Sequence, residues 1–499
     1  MKNAKNKWWG VKDYVLTLLL LTLHVIIVVA FCLLTVYLNG NGKQDFVDFF
    51  TNWSSFKTFS NLIVEMIILG GILYVYFALE EGDFLFRRKN SCMLFLILEI
   101  SLVANYLVGR YLGPSSGGNI RIYARPVALA AILSLYLIGN RRSAIFVNIV
   151  TALTTFVMDL FTNSNVEFTI IFASLVLNFA SGIIAVYALD GITKRFRIFL
   201  MGVCISLPTV VSAFALEFMS TTSISDGLKL ILFSLGSGVL SVVLMVVILP
   251  FFEIVFNVVT DFRLSEITST DYKYMKELRE QAPGTFNHCL TVASLAENCA
   301  AALGENILKA RAAAYYHDLG KLKEPEFFAE NQKGYNPLEE LSPELATDII
   351  RSHARVGSEF IKERNLPEFL SDVASEHHGT LPIKYFFAKA KKYTENEIDL
   401  KDFSYPGPKP QSKIAAIIMI CDASEAKVRT MNDRSGEKVD KAIKDIIEER
   451  MELEQFTDCD ITLKELEIIR QSIVQALAGV YHSRVKYPKL KIKKEDVDD

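Results

Sequence analysis

Eight long apolar segments constrain this chain more than any other feature. The first covers residues 14–38 and follows a start that carries four lysines. The others lie near residues 60–79, 91–111, 126–140, 143–160, 168–189, 197–218 and 227–250. Most approach the roughly 20 residues that cross the hydrocarbon core of a bilayer, and 126–140 is the shortest. The sequence therefore predicts a polytopic helical membrane domain with eight transmembrane helices.

The basic residues between these segments predict an orientation. The first segment is too long for a secretory signal and has no small-x-small cleavage site, so we expect it to be retained. Arginine and lysine cluster at 87–89, 141–142 and 194–197, in loops on one side only. The positive-inside rule then predicts a multi-pass protein of the cell membrane with its N- and C-termini in the cytoplasm.

Five polar side chains lie inside the apolar segments, namely Glu65, Glu99, Asn105, Asp159 and Asn178. An ionisable group in a bilayer is a functional candidate because burying it without compensation is costly. We expect Asp159, close to a segment end, to reach the interface, and leave Glu99 open. A transporter is an alternative for this half, but no internal repeat supports it.

The second half of the chain has a different composition. Beyond residue 260 the sequence becomes charged, and its apolar residues recur with helical period, which predicts an all-α cytoplasmic domain. The predicted order is a cytoplasmic N-terminus with the first transmembrane helix at 1–38, a short extracytoplasmic segment at 39–59 and a seven-helix membrane domain at 60–250. A linker helix at 251–271, the all-helical domain at 272–485 and a charged tail at 486–499 follow.

Charge and cysteine content exclude some classes of protein. The formal net charge of −3 argues against a nucleic-acid polymer as partner. None of the seven cysteines forms a CxxC pair, which argues against a cysteine zinc site or a disulfide framework.

The histidines are concentrated in the second half. Five of the seven lie between positions 288 and 378, namely His288, His317, His353, His377 and His378. His317 is followed directly by Asp318. We interpret the other two, His24 and His482, as ordinary cap or surface residues.

Local patterns place these histidines near helix ends. We expect Thr285 to cap a helix that carries His288 in its first turn. The His-Asp pair is expected to end a helix that Gly320 stops. Ser342, followed by proline, predicts the N-cap of the helix that carries His353.

A further carboxylate joins this set. Asp422 follows the run 417–420, which is apolar on all sides, and a carboxylate buried there needs a cation or several donors. Imidazoles and carboxylates without thiolates suit divalent iron, manganese or zinc. Five imidazoles and two carboxylates are more ligands than one ion with open coordination positions can bind. The economical arrangement is therefore two divalent ions bridged by Asp318. Such a pair clamps a phosphate and lowers the pKa of a bound water.

The order and wording of these motifs resemble a known family. "APGTFNHC", "AYYHDLGK", "FFAENQ", "EHHGT" and "FSYPGPKPQSKIAAIIMICDASEA" are similar to the HD-domain phosphohydrolases. Within that superfamily they resemble the bacterial seven-transmembrane HD hydrolases, the PgpH-type cyclic di-AMP phosphodiesterases. The membrane half agrees with the one-plus-seven helix plan of this family.

The resemblance implies a reaction and a set of roles. His288, His317, Asp318 and Asp422 would hold one ion, and Asp318, His353, His377 and His378 the other. The ions, most often manganese or iron, would activate a hydroxide that hydrolyses cyclic di-AMP to the linear pApA. Asp318 and Lys321 would be catalytic, with Lys321 either meeting phosphate, orienting Asp318 or lying as an ordinary lysine at a helix end. No substrate-binding residue is identifiable by spacing, and a homodimer is left open.

Two departures and several alternatives accompany this reading. The interval from Asn39 to Ser60 replaces the large extracytoplasmic domain usual in the family, and Asn287 stands where many relatives have histidine. A cyclic di-GMP phosphodiesterase of the HD-GYP type ranks second, because "HHGTLPIKYFF" stands in place of its Gly-Tyr-Pro motif. A guanosine-tetraphosphate or deoxynucleotide hydrolase ranks third. A non-catalytic membrane receptor for a cyclic dinucleotide is the alternative from another class.

Overall fold

The computed structural model is helical throughout the part of the chain that it describes. That part comprises residues 11–39, 51–85, 88–111, 120–162, 167–192, 195–216, 218, 223–393 and 397–481. One isolated bridge between Pro382 and Ser404 is the exception, so the predicted all-α class is confirmed. The chain divides into two compact units, Met1–Thr260 and Asp261–Asp499. Residues 40–50, His482 and the predicted tail at 486–499 lie outside the described residues.

The first unit is built from apolar helices. In chain order these are α1 Val11–Asn39, α2 Trp53–Glu80, α3 Gly82–Leu85, α4 Arg88–Tyr111, α5 Ile120–Tyr123, α6 Leu129–Ile138, α7 Arg141–Thr162, α8 Phe168–Leu189, α9 Arg195–Ile205, α10 Leu207–Leu216 and α11 Ile224–Val255.

Seven spans in this unit are long and apolar enough to cross a membrane. They are Val15–Tyr37, Phe56–Glu80, Arg88–Tyr111, Arg141–Thr162, Phe168–Leu189, Phe196–Leu216 and Ile224–Val255. The predicted segment 126–140 forms only α6, whose ten residues extend roughly 15 Å, about half the hydrocarbon thickness. The described residues therefore hold seven long apolar spans, one of them made of α9 and α10 in succession, and the short buried α6, where the sequence predicts eight full crossings. Pro126 separates α6 from α5, because proline cannot continue a helix from the preceding turn.

Two buried pairs of polar side chains lie inside this unit, and both differ from expectation. Asp159 on α7 does not reach the interface as a free carboxylate. It accepts two hydrogen bonds from Arg125, at 2.5 and 2.9 Å, and both side chains are buried. His24 on α1 is not a cap or surface residue, since its Nδ1 lies 2.5 Å from an oxygen of the buried Glu99 on α4. The cost of burying each carboxylate is offset by its cationic or imidazole partner.

The second unit contains α12 Asp261–Ile267, α13 Lys273–Gln281, α14 Pro283–Leu303, α15 Ile307–Tyr316, α16 Pro343–Glu363, α17 Glu368–Glu376, α18 Lys384–Tyr393, α19 Lys413–Thr430, α20 Gly436–Glu452 and α21 Leu463–Tyr481. Short 3₁₀ turns join several of these helices. The segment 251–271 is not one continuous linker helix, because α11 ends at Val255 and α12 begins at Asp261. Asn257, with φ of 47°, turns the chain between them.

The core of this unit brings together the helices that carry the histidines. Helix α14 packs against α15, α19 and α21, while α16 packs against α17 and the 3₁₀ turn Leu319–Lys323. The apolar run before Asp422 on α19 is fully buried, as its lack of polar residues predicts.

Two local predictions have different outcomes. The Ser342 side chain accepts a hydrogen bond from the Leu345 amide at the start of α16, so its predicted cap is confirmed. The predicted Thr285 cap is wrong. Helix α14 already begins at Pro283, and the Thr285 hydroxyl bonds to the Glu330 carboxylate instead.

Candidate metal centre

Asp318 lies at the centre of the histidine cluster. It follows α15 directly and is almost fully buried. Its Oδ2 is 3.5 Å from His288 Nε2 and 3.2 Å from His317 Nε2. Its Oδ1 is 3.3 Å from His353 Nε2 and 3.7 Å from His377 Nε2. The two oxygens of one carboxylate thus face two different groups of imidazoles.

Asp422 and His378 complete the cluster. Asp422 Oδ1 is 3.1 Å from His288 Nε2, and Asp422 Oδ2 is 3.9 Å from His378 Nδ1. The rings of His377 and His378 are 4.1 Å apart. The structure therefore brings all seven predicted ligands into one site, from α14, α15, α16, α17 and α19 and the residues next to them. Their roles as ligands stay predictions.

The donor atoms of this cluster fit divalent metal ions. Two groups have ligand atoms within 4.8 Å of one another: His288, His317 and Asp318, and His353, His377 and His378. Within the described residues, the buried His317 Nε2 and Asp318 Oδ1 have no hydrogen-bond partner. Buried polar atoms are rarely left without a partner, and cations would satisfy these.

Hydrogen bonds behind the imidazoles fix their orientation. His317, His353 and His377 each place Nδ1 within 2.9 Å of the carbonyl oxygen three residues earlier. The fourth ring, His288, places Nδ1 2.6 Å from Glu425 Oε2. In a neutral ring, donation from Nδ1 leaves the Nε2 lone pair facing the site, as metal-ligating histidines require.

Burial keeps three of the imidazoles neutral. Burial, together with nearby His317, lowers the pKa of His377 to about 3. Burial and the neighbouring rings also lower the pKa of His353 and of His378. Neutral imidazoles are the form that binds metal ions.

His288 has a different electrostatic environment. Burial alone would lower its pKa, but hydrogen bonds to Asp422 and Glu425 outweigh this and raise the pKa of His288 to about 10. In the metal-free protein these carboxylates therefore favour a proton on His288. A metal ion must displace that proton to bind there.

Lys321 lies beside the bridge carboxylate. Its Nζ is 2.8 Å from Asp318 Oδ2 and 2.8 Å from Glu330 Oε1, and it lies 5.0 Å from the Phe328 ring centroid. Burial alone would raise the pKa of Asp318, but His317 and Lys321 hold it well below its ordinary value. Lys321, whose side chain is 12% exposed, is therefore a largely enclosed member of the site. Its contact with Asp318 agrees with one of the three roles that the sequence left open for Lys321, the orientation of Asp318.

Gly320 has a role that differs from the predicted helix stop. It lies inside a 3₁₀ turn, and a Cβ there would sit 2.0 Å from the carbonyl oxygen of His353 and 2.5 Å from the amide nitrogen of Gly357. Only glycine allows α16 to approach this closely. The close approach brings His353 within reach of Asp318.

A cleft of about 970 Å³ opens from the cluster. Its lining includes His377, His378 and Asp422 of the cluster, and it carries four basic residues, Lys427, Lys438, Lys441 and Arg450, against two further acidic ones, Asp445 and Glu449. Tyr405, from the "YPGP" stretch, stacks on His378 with ring centroids 4.3 Å apart. The cleft is of the size and charge to admit a small anionic molecule.

Sequence reasoning missed Glu425 and Glu330. Glu425 stands three residues after Asp422, so helical periodicity alone places both on one face of α19. Glu330 lies nine residues from Lys321 across several 3₁₀ turns, and no spacing signal marks it.

Comparison with known proteins gives two family matches. Residues 56–260 match the family described as 7TM receptor with intracellular HD hydrolase, and residues 285–427 match the HD domain. The chain is 35% identical over 450 residues to the cyclic-di-AMP phosphodiesterase PgpH of Bacillus subtilis (strain 168), covering 89% of this chain and 62% of that protein. It is 33% identical to the PgpH of Listeria monocytogenes serotype 1/2a (strain 10403S), covering 87% of this chain and 59% of that protein.

This chain thus spans about three fifths of the length of these relatives. The crystal structure of the L. monocytogenes PgpH HD domain in complex with cyclic-di-AMP is 44% identical in sequence. The match covers 43% of the present chain and 99% of the crystallised HD domain, with a TM-score of 0.41.

Proposed function

Because this chain belongs to the family of 7TM receptors with intracellular HD hydrolase, we propose that it is a membrane-anchored, metal-dependent phosphodiesterase that hydrolyses cyclic di-AMP to pApA. Two relatives of known name are cyclic-di-AMP phosphodiesterases, which supports this choice of substrate. The observation that carries the proposal is the position of Asp318, whose two oxygens face two separate groups of buried imidazoles.

The proposed site holds two divalent ions. One is bound by His288, His317, Asp318 and Asp422, and the other by Asp318, His353, His377 and His378. Manganese and iron both suit this set of nitrogen and oxygen donors. When bound, the ions supply positive charge for a phosphate and lower the pKa of a coordinated water.

The reaction adds water across one phosphodiester of the cyclic dinucleotide. An oxygen–phosphorus bond forms, the bond from phosphorus to the ribose 3′ oxygen breaks, and that oxygen takes up a proton. Lys321 keeps Asp318 ionised and fixed in place, since it contacts both Asp318 and Glu330. Glu425 orients His288 through its Nδ1.

The cleft next to the site supports a dinucleotide substrate. A cyclic dinucleotide carries two phosphates, of which the site engages one. The lining of the cleft adds Lys427, Lys438, Lys441 and Arg450 to the site, an excess of positive charge over Asp445 and Glu449 that suits a second phosphate.

The membrane unit anchors this activity. We place the membrane domain at 60–250 and the HD phosphohydrolase domain at 272–485, with both termini in the cytoplasm of a bacterial cell. The basic clusters between the apolar segments support this orientation. A homodimer is compatible with the proposal and is not required by it.

The test follows product formation by the full chain in detergent micelles. Cyclic di-AMP and cyclic di-GMP are each incubated with protein loaded with manganese or, without oxygen, ferrous iron, and the products are separated by chromatography. We expect pApA from cyclic di-AMP and none from Asp318→Ala. Turnover of cyclic di-GMP alone would favour the HD-GYP-type alternative. Binding of cyclic di-AMP without turnover, at two ions per chain, would favour the receptor.

A further inference from the structure

A small cavity lies inside the membrane unit, where α1, α4 and α7 meet the break between α5 and α6. Its volume is about 40 Å³, and its lining includes Thr35, Tyr106, Arg110, Arg125, Asp159 and Thr162. Thr35, Arg110 and Thr162 come from the last turns of α1, α4 and α7, so the cavity lies near one end of these helices. Irregular backbone at membrane depth is tolerated where it lines such a polar cavity.

Arg125 is the central residue of this cavity. It lies in the break between α5 and α6 and is 6% exposed. Its terminal nitrogens donate to Asp159, whereas its Nε, within the described residues, has no acceptor. A buried N–H without an acceptor carries an energetic cost, which an anion in the cavity would remove.

Gly109 makes room for this arginine. A Cβ at Gly109 would lie 2.4 Å from Arg125 Nε and 2.8 Å from its Nη2. Any side chain at position 109 would therefore push the guanidinium from its place beside the cavity. Gly71 on α2 provides a contrast, because a Cβ there would meet nothing within 4 Å.

Size and charge define the ligand. One water molecule needs roughly 10–15 Å³ of such space, so the cavity admits about three waters or one small oxyanion. The lining contains two arginines and one aspartate, a formal charge of +1, with threonine and tyrosine hydroxyls around them. Guanidinium groups bind phosphate and carboxylate oxygens with paired hydrogen bonds. We propose that this cavity binds one small oxyanion, either a free phosphate or the phosphate of a lipid headgroup.

The cavity is connected to the helix that leads to the second unit. The Ser237 hydroxyl, on α11, donates to the carbonyl oxygen of Arg125 at 2.5 Å. Helix α11 ends at Val255, and five residues separate it from the second unit, which begins at Asp261. An oxyanion that repositions Arg125 therefore acts on a residue bonded directly to this helix.

Equilibrium dialysis of radiolabelled inorganic phosphate against the full chain in detergent tests the proposal. The wild type, Gly109→Ala and the control Gly71→Ala all keep the metal centre, so phosphate bound there is common to the three. We expect the wild type and Gly71→Ala to bind one phosphate per chain more than Gly109→Ala.

A second arm distinguishes the source of the oxyanion. The proteins are placed in nanodiscs that contain phosphatidylglycerol, and retained lipids are counted by native mass spectrometry. If a lipid headgroup is the occupant, we expect one retained lipid in the wild type and in Gly71→Ala, but none in Gly109→Ala. If Gly109→Ala fails to fold, the double variant Arg125→Gln/Asp159→Asn replaces it, because it removes the guanidinium together with the carboxylate to which it donates. Equal phosphate and equal lipid binding in all variants would overturn the proposal.

Discussion

Replacing Gly320 by alanine tests how the backbone positions the metal centre. The added Cβ would lie 2.0 Å from the His353 carbonyl oxygen and 2.5 Å from the Gly357 amide nitrogen. Carbon atoms in contact prefer separations of about 3.5 Å, so α16 must move by more than about 1 Å. Both obstructing atoms are backbone, and no side-chain rotation relieves the contact.

This displacement has two measurable consequences. Overpacking of this kind typically costs about 1–3 kcal/mol of unfolding free energy. Metal ligands tolerate displacements of only about 0.2 Å, and His353 Nε2 now lies 3.3 Å from the carboxylate oxygen of Asp318. We therefore expect Gly320→Ala to unfold at lower temperature and to lose the ion bound by His353, His377 and His378.

The assay combines thermal unfolding with metal content per chain by mass spectrometry. Gly436→Ala is the matched control, because it lies in α20 and its Cβ would meet nothing within 4 Å. We expect this control to equal the wild type or to be slightly more stable, since alanine favours helices. If Gly320→Ala keeps full metal content and the unfolding temperature of the control, close packing does not position His353.

Three more predictions concern single interactions. As the pH falls from roughly 9 to 7, the affinity for the metal ion at His288 should fall about tenfold per pH unit, because a proton competes with the metal ion for this imidazole, whose pKa is about 10. Glu425→Gln should move this pH dependence to lower pH, as measured by calorimetric titration. Lys321→Met should lower kcat about a hundredfold with metal content unchanged, and Lys321→Arg should restore part of it. Arg125→Gln should cost about 3–5 kcal/mol of stability by removing the bidentate cationic partner of the buried Asp159, and adding Asp159→Asn should recover much of this loss in detergent unfolding.

The features that sequence predicts well are local or periodic. Long apolar runs identify the membrane helices, because crossing a bilayer demands about 20 apolar residues whatever the tertiary packing. The Ser342 cap is equally local, since its side chain bonds an amide only three residues away. Histidines with neighbouring carboxylates, in a chain with few histidines, likewise indicate a cluster before any coordinates are known.

The features that sequence does not predict depend on contacts between distant residues. Arg125 and Asp159 are 34 positions apart, and His24 and Glu99 are 75 apart, so neither pair leaves a pattern in the sequence. Gly320 resembles a helix stop, yet its role is set by the backbone of α16, more than 30 positions later. Pro126 marks the break before α6 locally, but the buried position of Arg125 next to it depends on the distant Asp159.

The most direct measurement is the number of metal ions per chain in three proteins: the wild type, Asp318→Asn and His378→Ala. If Asp318 is shared by two ions, the wild type holds two, His378→Ala holds one, and Asp318→Asn loses both. An Asp318→Asn protein that keeps one ion firmly bound, while folding as the wild type does, would contradict the shared carboxylate and the two-ion site built around it.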